Sequence, residues 1–349
     1  MADIIIGAIA LGLLWSVFTL GVHLTYRILD IADLTVEGTL TTGGAIVAVM
    51  ISNGVNPWLA TFAAIGGGLA TGLITGLLHT KLKIPALLAG ILTMTACYSI
   101  NLRIMGKANI PLLSTGSKAV DTIFTPFMNL LQKAVGEYDK KAPGAWLPNI
   151  ITSKPFAALI VGLIFVVAVS MIMYWFFGTE LGSAIRATGN NKKMVRAQGI
   201  NTSFMIIICL MLSNGLVALS GALIGQYQAY SDINMGIGSI VIGLASLIIG
   251  EVIVGTKTFK RNLFALAIGA VIYRIIIALV MKFGMAANDL KLFTAITVAF
   301  CLSLPLIKNF FLKKFGRKKQ TVPVEGVVDK LDENRDDSND EAPENNEEV

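Results

Sequence analysis

Nine apolar stretches dominate the first 307 residues: 4–24, 36–51, 58–78, 84–104, 156–177, 204–223, 235–254, 263–283 and 292–307. A helix rises about 1.5 Å per residue, so about 20 apolar residues cross the roughly 30 Å hydrocarbon core of a bilayer. Backbone N–H and C=O groups find no water there, and a chain patterned in this way satisfies them by folding into helices. Composition agrees: 14% of residues are charged and 54% hydrophobic, whereas a soluble domain carries about a quarter charged residues. The sequence therefore predicts an all-α, polytopic integral membrane protein with about nine transmembrane segments.

Basic residues set the expected orientation, since cytoplasmic loops collect Lys and Arg. His79, Lys81 and Lys83, the loop from Arg186 to Arg196, Lys257, Lys260 and Arg261, and the run from Lys308 to Lys319 all fall on one side of a nine-span chain. That count puts the N-terminus outside and the C-terminus in the cytoplasm of a bacterial cell membrane. Residues 106–155 are external on this count yet carry six lysines against three acids; long loops obey the charge rule poorly. Within them Val120, Ile123, Phe124, Phe127, Met128 and Leu131 recur at helical spacing, so an amphipathic helix on the outer surface is expected. It is either part of a platform for a solute-binding protein or a lid packed on the span ends. Past the spans, 308–319 is basic with interleaved aromatics, suited to lipid headgroups. Residues 320–349 hold eleven acids against Lys330 and Arg335, a disordered composition.

Two spans open loosely. Asp30, Asp33 and Glu37 precede or enter the second, followed by Gly38, Thr39, Thr42, Gly43 and Gly44; Asp232, Asn234, Gly236, Gly238 and Ser239 open the seventh. Non-helical backbone survives at membrane depth only where protein buries it or a hydrated cavity borders it. These two spans run in opposite directions and each precedes two more, which makes 34–104 and 234–307 candidate inverted repeats, with a binding path at their interface. Glycines spaced by four, Gly68, Gly72 and Gly76 and again Gly221 and Gly225, mark close helix packing within a subunit or across a dimer. Arg274 lies mid-span, where an unpaired cation costs several kcal/mol. It meets a solute carboxylate, or it pairs with Glu37, Glu251 or freed carbonyls. The Asn214 amide, inside an apolar run, requires a partner.

The longest polar interruption of the second half is 178–203, with Arg186, Lys192, Lys193 and Arg196 against Glu180. Residues 180–188 are expected to continue the preceding span as helix, Gly189-Asn190-Asn191 to turn, and 192–198 to form a short helix stopped by Gly199. Charge alone makes this a positive-inside loop or a surface helix for a soluble partner to push. Its sequence is more specific. Leu181-Gly182-x-Ala184-x-Arg186-Ala187-Thr188-Gly189-Asn190-Asn191, then Arg196-Ala197-x-Gly199-Ile200-Asn201, resembles the cytoplasmic coupling loop of ABC-importer permeases, in the superfamily serving branched-chain amino acids, ribose and related solutes. Asp33-Leu34-Thr35-x-Glu37-Gly38 is similar to that family's first-repeat motif, and the resemblance runs over about 31–306. It implies that the short helix docks into an ATPase subunit through Glu180, Arg186, Asn190, Asn191, Lys192 and Arg196. Together with the loose openings of the second and seventh spans and the buried polar groups within them, it points to a path near Thr35, Glu37, Thr39, Thr42, Asn214, Gly236, Ser239 and Arg274. The partners it implies are two ATPase subunits, an extracytoplasmic solute-binding protein, a second permease copy and membrane lipid.

The chain carries no engine of its own. Gly250 to Thr258 comes close to a phosphate-binding loop but has one residue too many before Lys257 and an apolar stretch in place of glycines. His23 and His79 are far apart, and Cys97, Cys209 and Cys301 sit in apolar runs as small packing residues. No catalysis, cofactor, metal or nucleic acid is expected. The expected function is the permease subunit of an ATP-driven importer, for an amino acid or alternatively a sugar or nucleoside. A transporter driven by an ion gradient is the competing class. It needs a mid-membrane coupling carboxylate, whereas Glu37 and Glu251 fall near span ends.

Overall fold

Helices account for nearly all of the computed structural model, which describes residues 2–112, 121–136, 146–255 and 258–282, with 292, 296, 298, 299 and 303. In order they are α1 (Ala2–His23), α2 (Thr35–Ser52), α3 (Pro57–Thr80), α4 (Ala86–Met105), α5 (Phe124–Val135), α6 (Trp146–Ile151), α7 (Lys154–Phe176), α8 (Glu180–Asn190), α9 (Lys192–Ala197), α10 (Thr202–Gln228), α11 (Ser239–Val254) and α12 (Phe259–Lys282). Among the described residues seven helices are long and apolar enough to cross a membrane, and α11 is a shorter apolar helix. The ninth expected span, 292–307, is described at five positions only, and 308–349 lies outside the described residues, as does Cys301. Val298 is buried against Ala245, Ile249, Tyr273 and Ile277 of α11 and α12.

Local chemistry fixes where the helices begin. Asn56 accepts from the Trp58 N–H with Pro57 at the first turn, Ser153 accepts from Phe156, and Asn201 accepts from Phe204. Each side-chain oxygen satisfies an N–H that has no carbonyl within its own helix. The same device breaks an expected continuity. Residues 180–188 do not extend α7: that helix ends at Phe176, and Thr179 accepts from the Gly182 N–H at 3.3 Å to start α8. Gly178 followed by a capping threonine is a stop and a start.

α10 and α2 are the most buried of the long helices; α10 packs along α3, α2 and α1, while α1 packs on α12, α10, α7 and α11. The packing is reciprocal. α1 leads into the first candidate repeat yet lies on α11 and α12; α10 leads into the second yet lies on α2 and α3. Lipid tails are as apolar as leucine, so close backbone approach and interhelical hydrogen bonds hold such helices together. Ser213 donates to the Gly21 carbonyl and Ser220 to that of Leu14, each at 2.8 Å. A Cβ at Gly68 or Gly72 would collide with the backbone of α10 at Asn214 or Leu210. Gly72→Leu is accordingly expected to destabilise the fold by about 1–3 kcal/mol or more, read as lost monodisperse protein on size exclusion in detergent.

Beyond the end of α4, β1 (Asn109–Pro111) pairs antiparallel with β2 (Tyr230–Asp232), which follows α10, in the register Asn109↔Asp232, Ile110↔Ser231 and Pro111↔Tyr230. Three-residue strands are too short to announce themselves by alternation. Near them the amphipathic helix starts at Phe124, and Val120 lies outside the described residues. Ile123 and Phe124 are fully buried. The Ile123 N–H donates to Gln226 Oε1 at 3.0 Å, and Gln226 Nε2 donates to Thr61 at 2.9 Å. These contacts pack the helix on the span ends.

Candidate functional site

The loop between α7 and α10 is a pair of short capped helices, α8 and α9. Asn191 takes an extended conformation (φ −153°, ψ 92°), and its Oδ1 accepts from the Lys193 and Met194 N–H groups at 3.1 Å each, capping α9. Gly199 closes the loop in the left-handed region at φ +81°. The two arginines brace it. The Arg186 guanidinium rests over the Phe177 and Phe259 rings, 5.4 and 4.9 Å from their centroids, and donates to the Phe177 carbonyl. Arg196 Nε donates to Thr202 Oγ1 at 2.8 Å, at the foot of α10. Glu180, Asn190 and Lys193 are exposed and Lys192 is half-buried. Leu181 and Met194, 44% and 48% exposed, put apolar side chains on the same surface. A reading based on charge and turns passed over them; their signal is an apolar residue on a short polar helix.

This pair of helices is seated on the chain that joins α1 to α2. α1 ends in a π-helical turn, Leu24–Ile28, and a Cβ at Gly189 would collide with the Ile28 carbonyl. Glycine is required there by a backbone-to-backbone approach. Asp30 then reverses the chain at φ +54°. A polar cleft of about 330 Å³ lies between Asp30 and the turn from Asn190 to Lys193. On the opposite flank Arg27 forms a two-pronged ion pair with Glu251 of α11 at 2.9 and 3.0 Å. Glu251 is thus engaged away from Arg274.

The connector ends in a buried polar network. Asp33 is 3% exposed; its Oδ1 accepts from the Thr35 N–H at 2.9 Å and its Oδ2 from Asn214 Nδ2 at 2.9 Å. Asn214 Oδ1 accepts from Thr39 at 2.7 Å, Thr39 shares a hydrogen bond with Thr71 at 2.9 Å, and Thr35 one with Thr75 at 2.8 Å. Asn214 is near the middle of α10 and Thr71 is well inside α3, so α2 starts deep in the molecule. The second span itself is one continuous helix, Thr35–Ser52; the irregular backbone lies in the connector before it, where the sequence suggests a broken helix. Of the expected path residues, Thr35, Thr39 and Asn214 meet here, whereas Thr42 donates back to the Gly38 carbonyl at 2.9 Å. Thr71 and Thr75, which had not been singled out, complete the cluster with Asp33, which the sequence marked at the opening of the span but not as a path residue.

A second group forms at the head of α11. Glu37 Oε1 accepts from the Gly238 N–H at 3.0 Å, and Thr41 accepts from Gly236 at 3.2 Å. The carboxylate thus caps a helix N-terminus, where partial positive charge favours it. Ser239, buried beside this junction, has an Oγ without a hydrogen-bond partner. Arg274 stands apart from both groups. Its expected pairing with Glu37 or Glu251 does not occur, because Gly238 and Arg27 hold those carboxylates. The Arg274 guanidinium sits 4.2 Å from the Trp15 ring centroid, and its Nε is buried without a partner. A cation over an indole face gains about 2 kcal/mol when desolvated, which offsets part of its burial.

Residues 4–302 match the family described as the branched-chain amino acid transport system permease component. The chain belongs to that permease family. Relatives agree: the permease is 39% identical to a tyrosine transport system permease protein of Clostridioides difficile (strain R20291), over 90% of this chain and 95% of that one. It is 32% identical to an uncharacterized protein of Rickettsia prowazekii (strain Madrid E), over 86% and 97% of the two chains. A ribose import permease protein of Escherichia coli (strain K12) is 26% identical over 62% of this permease and 60% of its own length. Members are multi-pass components of ABC importers, which place the permease in a membrane beside ATPase and binding-protein partners.

Proposed function

We propose that the permease carries an amino acid, an aromatic one by preference, delivered by an extracytoplasmic binding protein and driven by two ATPase subunits that grip α9. Two permease copies make the transporting unit, with N-termini outside and C-termini in the cytoplasm of a bacterial cell. The observation that carries the coupling role is the seating of Gly189 on the Ile28 carbonyl, which joins the exposed basic loop to the connector before α2. The likeness to a tyrosine permease supports the choice of solute. The sugar reading leans on relatives of 25% and 26% identity, the fructose and ribose permeases. The path runs past Glu37, Gly236 and Ser239, while Thr35, Thr39, Thr42 and Asn214 set the position of α2. Arg274, buried over the Trp15 ring and apart from both groups, has a structural role on this reading. ATP binding in the partners supplies the energy, and the permease supplies an element with two arrangements.

Lys192→Glu combined with Met194→Glu tests the grip without touching the packed arginines. Co-purification with the ATPase subunits is expected to weaken about tenfold or more, as for centrally placed interface residues. ATP-driven uptake of labelled tyrosine in proteoliposomes carrying ATPase and binding protein should fall with it. Association and uptake at wild-type levels would sink the docking role; ribose competing where tyrosine does not would sink the choice of solute.

A further inference from the structure

A groove of about 720 Å³ opens between α7 and α12, floored by Leu13 of α1. Its walls are apolar, among them Val167, Phe264 and Val271, and its lower end carries Tyr174, Trp175 and Lys260. Lys260 Nζ is 4.6 Å from the Tyr174 ring centroid. Trp175 and Phe264 are each 70% exposed, so the groove faces outward along its side. The lining runs from Leu163 to Trp175 on α7 and from Lys260 to Ile272 on α12, thirteen residues in each case, or about 18 Å of helix from first to last. That length is close to half of a roughly 30 Å hydrocarbon core. The groove thus reaches from one membrane interface to the bilayer centre, the depth of a single leaflet. Aromatic side chains and a lysine at the interface end fit headgroup level. The stretches flanking that end, 174–179 and 258–262, contain Lys260 and Arg261 and no carboxylate. Of the five residues described from the following segment, Val298 is buried elsewhere, against α11 and the Tyr273–Ile277 side of α12.

We infer that this groove is a binding site for one anionic phospholipid, its acyl chain along α7 and α12 and its phosphate at Lys260. Basic side chains near anionic headgroups add affinity, and the apolar wall holds the chain by close contact in place of a neighbouring helix. The site lies away from the coupling helices and the Asp33 network, and depends on neither the solute nor the orientation proposed above. Native mass spectrometry of the full chain in detergent, titrated with phosphatidylglycerol and phosphatidylcholine of matched chains, tests it. One phosphatidylglycerol per chain should bind about fivefold or more tightly than phosphatidylcholine. Lys260→Glu should erase that preference while both lipids still bind. Ala267→Trp, which fills the groove midway, should remove the bound lipid altogether, with an unchanged size-exclusion profile certifying the fold. Equal affinity for the two lipids, or lipid retained by Ala267→Trp, overturns the assignment. Efficient disulfide linking of two chains through Phe264→Cys in lipid would place a second copy in the groove and overturn it as well.

Discussion

Asn214→Leu is expected to cost about 3 kcal/mol of folding stability, the upper scale for buried polar groups left without their hydrogen-bond partner. The amide donates to Asp33 Oδ2 and accepts from Thr39, so leucine leaves a carboxylate with one backbone donor and a hydroxyl one bond short. No cation faces Asp33 among the described ion pairs, since Arg27 engages Glu251. The loss should be read as a shift in SDS-induced unfolding in mixed micelles, and transport should disappear because α2 loses its anchor on α10. Adding Asp33→Asn replaces the stranded carboxyl while keeping an oxygen for the Thr35 N–H, so the double variant should regain more than half of the loss. Neutral hydrogen bonds between membrane helices average about 0.6 kcal/mol in double-mutant cycles. A coupling no larger than that would mean the carboxylate does not depend on the amide.

Gly189→Val carries the second large effect. The valine side chain would be forced into the Ile28 carbonyl, prising α8 from the connector while leaving Met194 and Lys193 of α9 exposed for docking. ATPase subunits should therefore still co-purify, but uptake should fall by about tenfold or more, within the 5–150-fold range of typical coupling energies. Gly189→Ala should produce the milder form of the same defect. Uptake preserved in Gly189→Val proteoliposomes would remove this contact from the line of transmission.

Much of the architecture was legible because lipid leaves a chain so few choices. Apolar runs set the long helices, and Gly199 with Asn191 set the limits of the short α9. Asn214 was recognisable as an amide in need of a partner. The partner itself, Asp33, is 181 residues away in sequence, and no periodicity links positions on helices that are apolar on every side. The break between α7 and α8 was there to be read in Gly178-Thr179, but a continuous helical pattern outweighed it. Arg274 misled for a different reason. Its charge suggested a carboxylate partner, whereas the accommodation is an indole face on α1, and aromatic faces carry no formal charge to count. The tightest connection of the site, Gly189 on Ile28, is backbone against backbone and leaves no trace in side-chain pattern beyond the glycine itself.

The small pairing of β1 with β2 constrains how the molecule can move. It clasps the far ends of α4 and α10 through the register Asn109↔Asp232 to Pro111↔Tyr230, and Asn109 adds a side-chain bond to Asp232 at 3.2 Å. Helices hinged together at one end cannot slide past one another as rods. On the docking proposed above, a shove delivered through α8 at the other end is absorbed as a tilt with the clasp as fulcrum, and the wedge that opens is widest at that end and narrows to nothing at the strands.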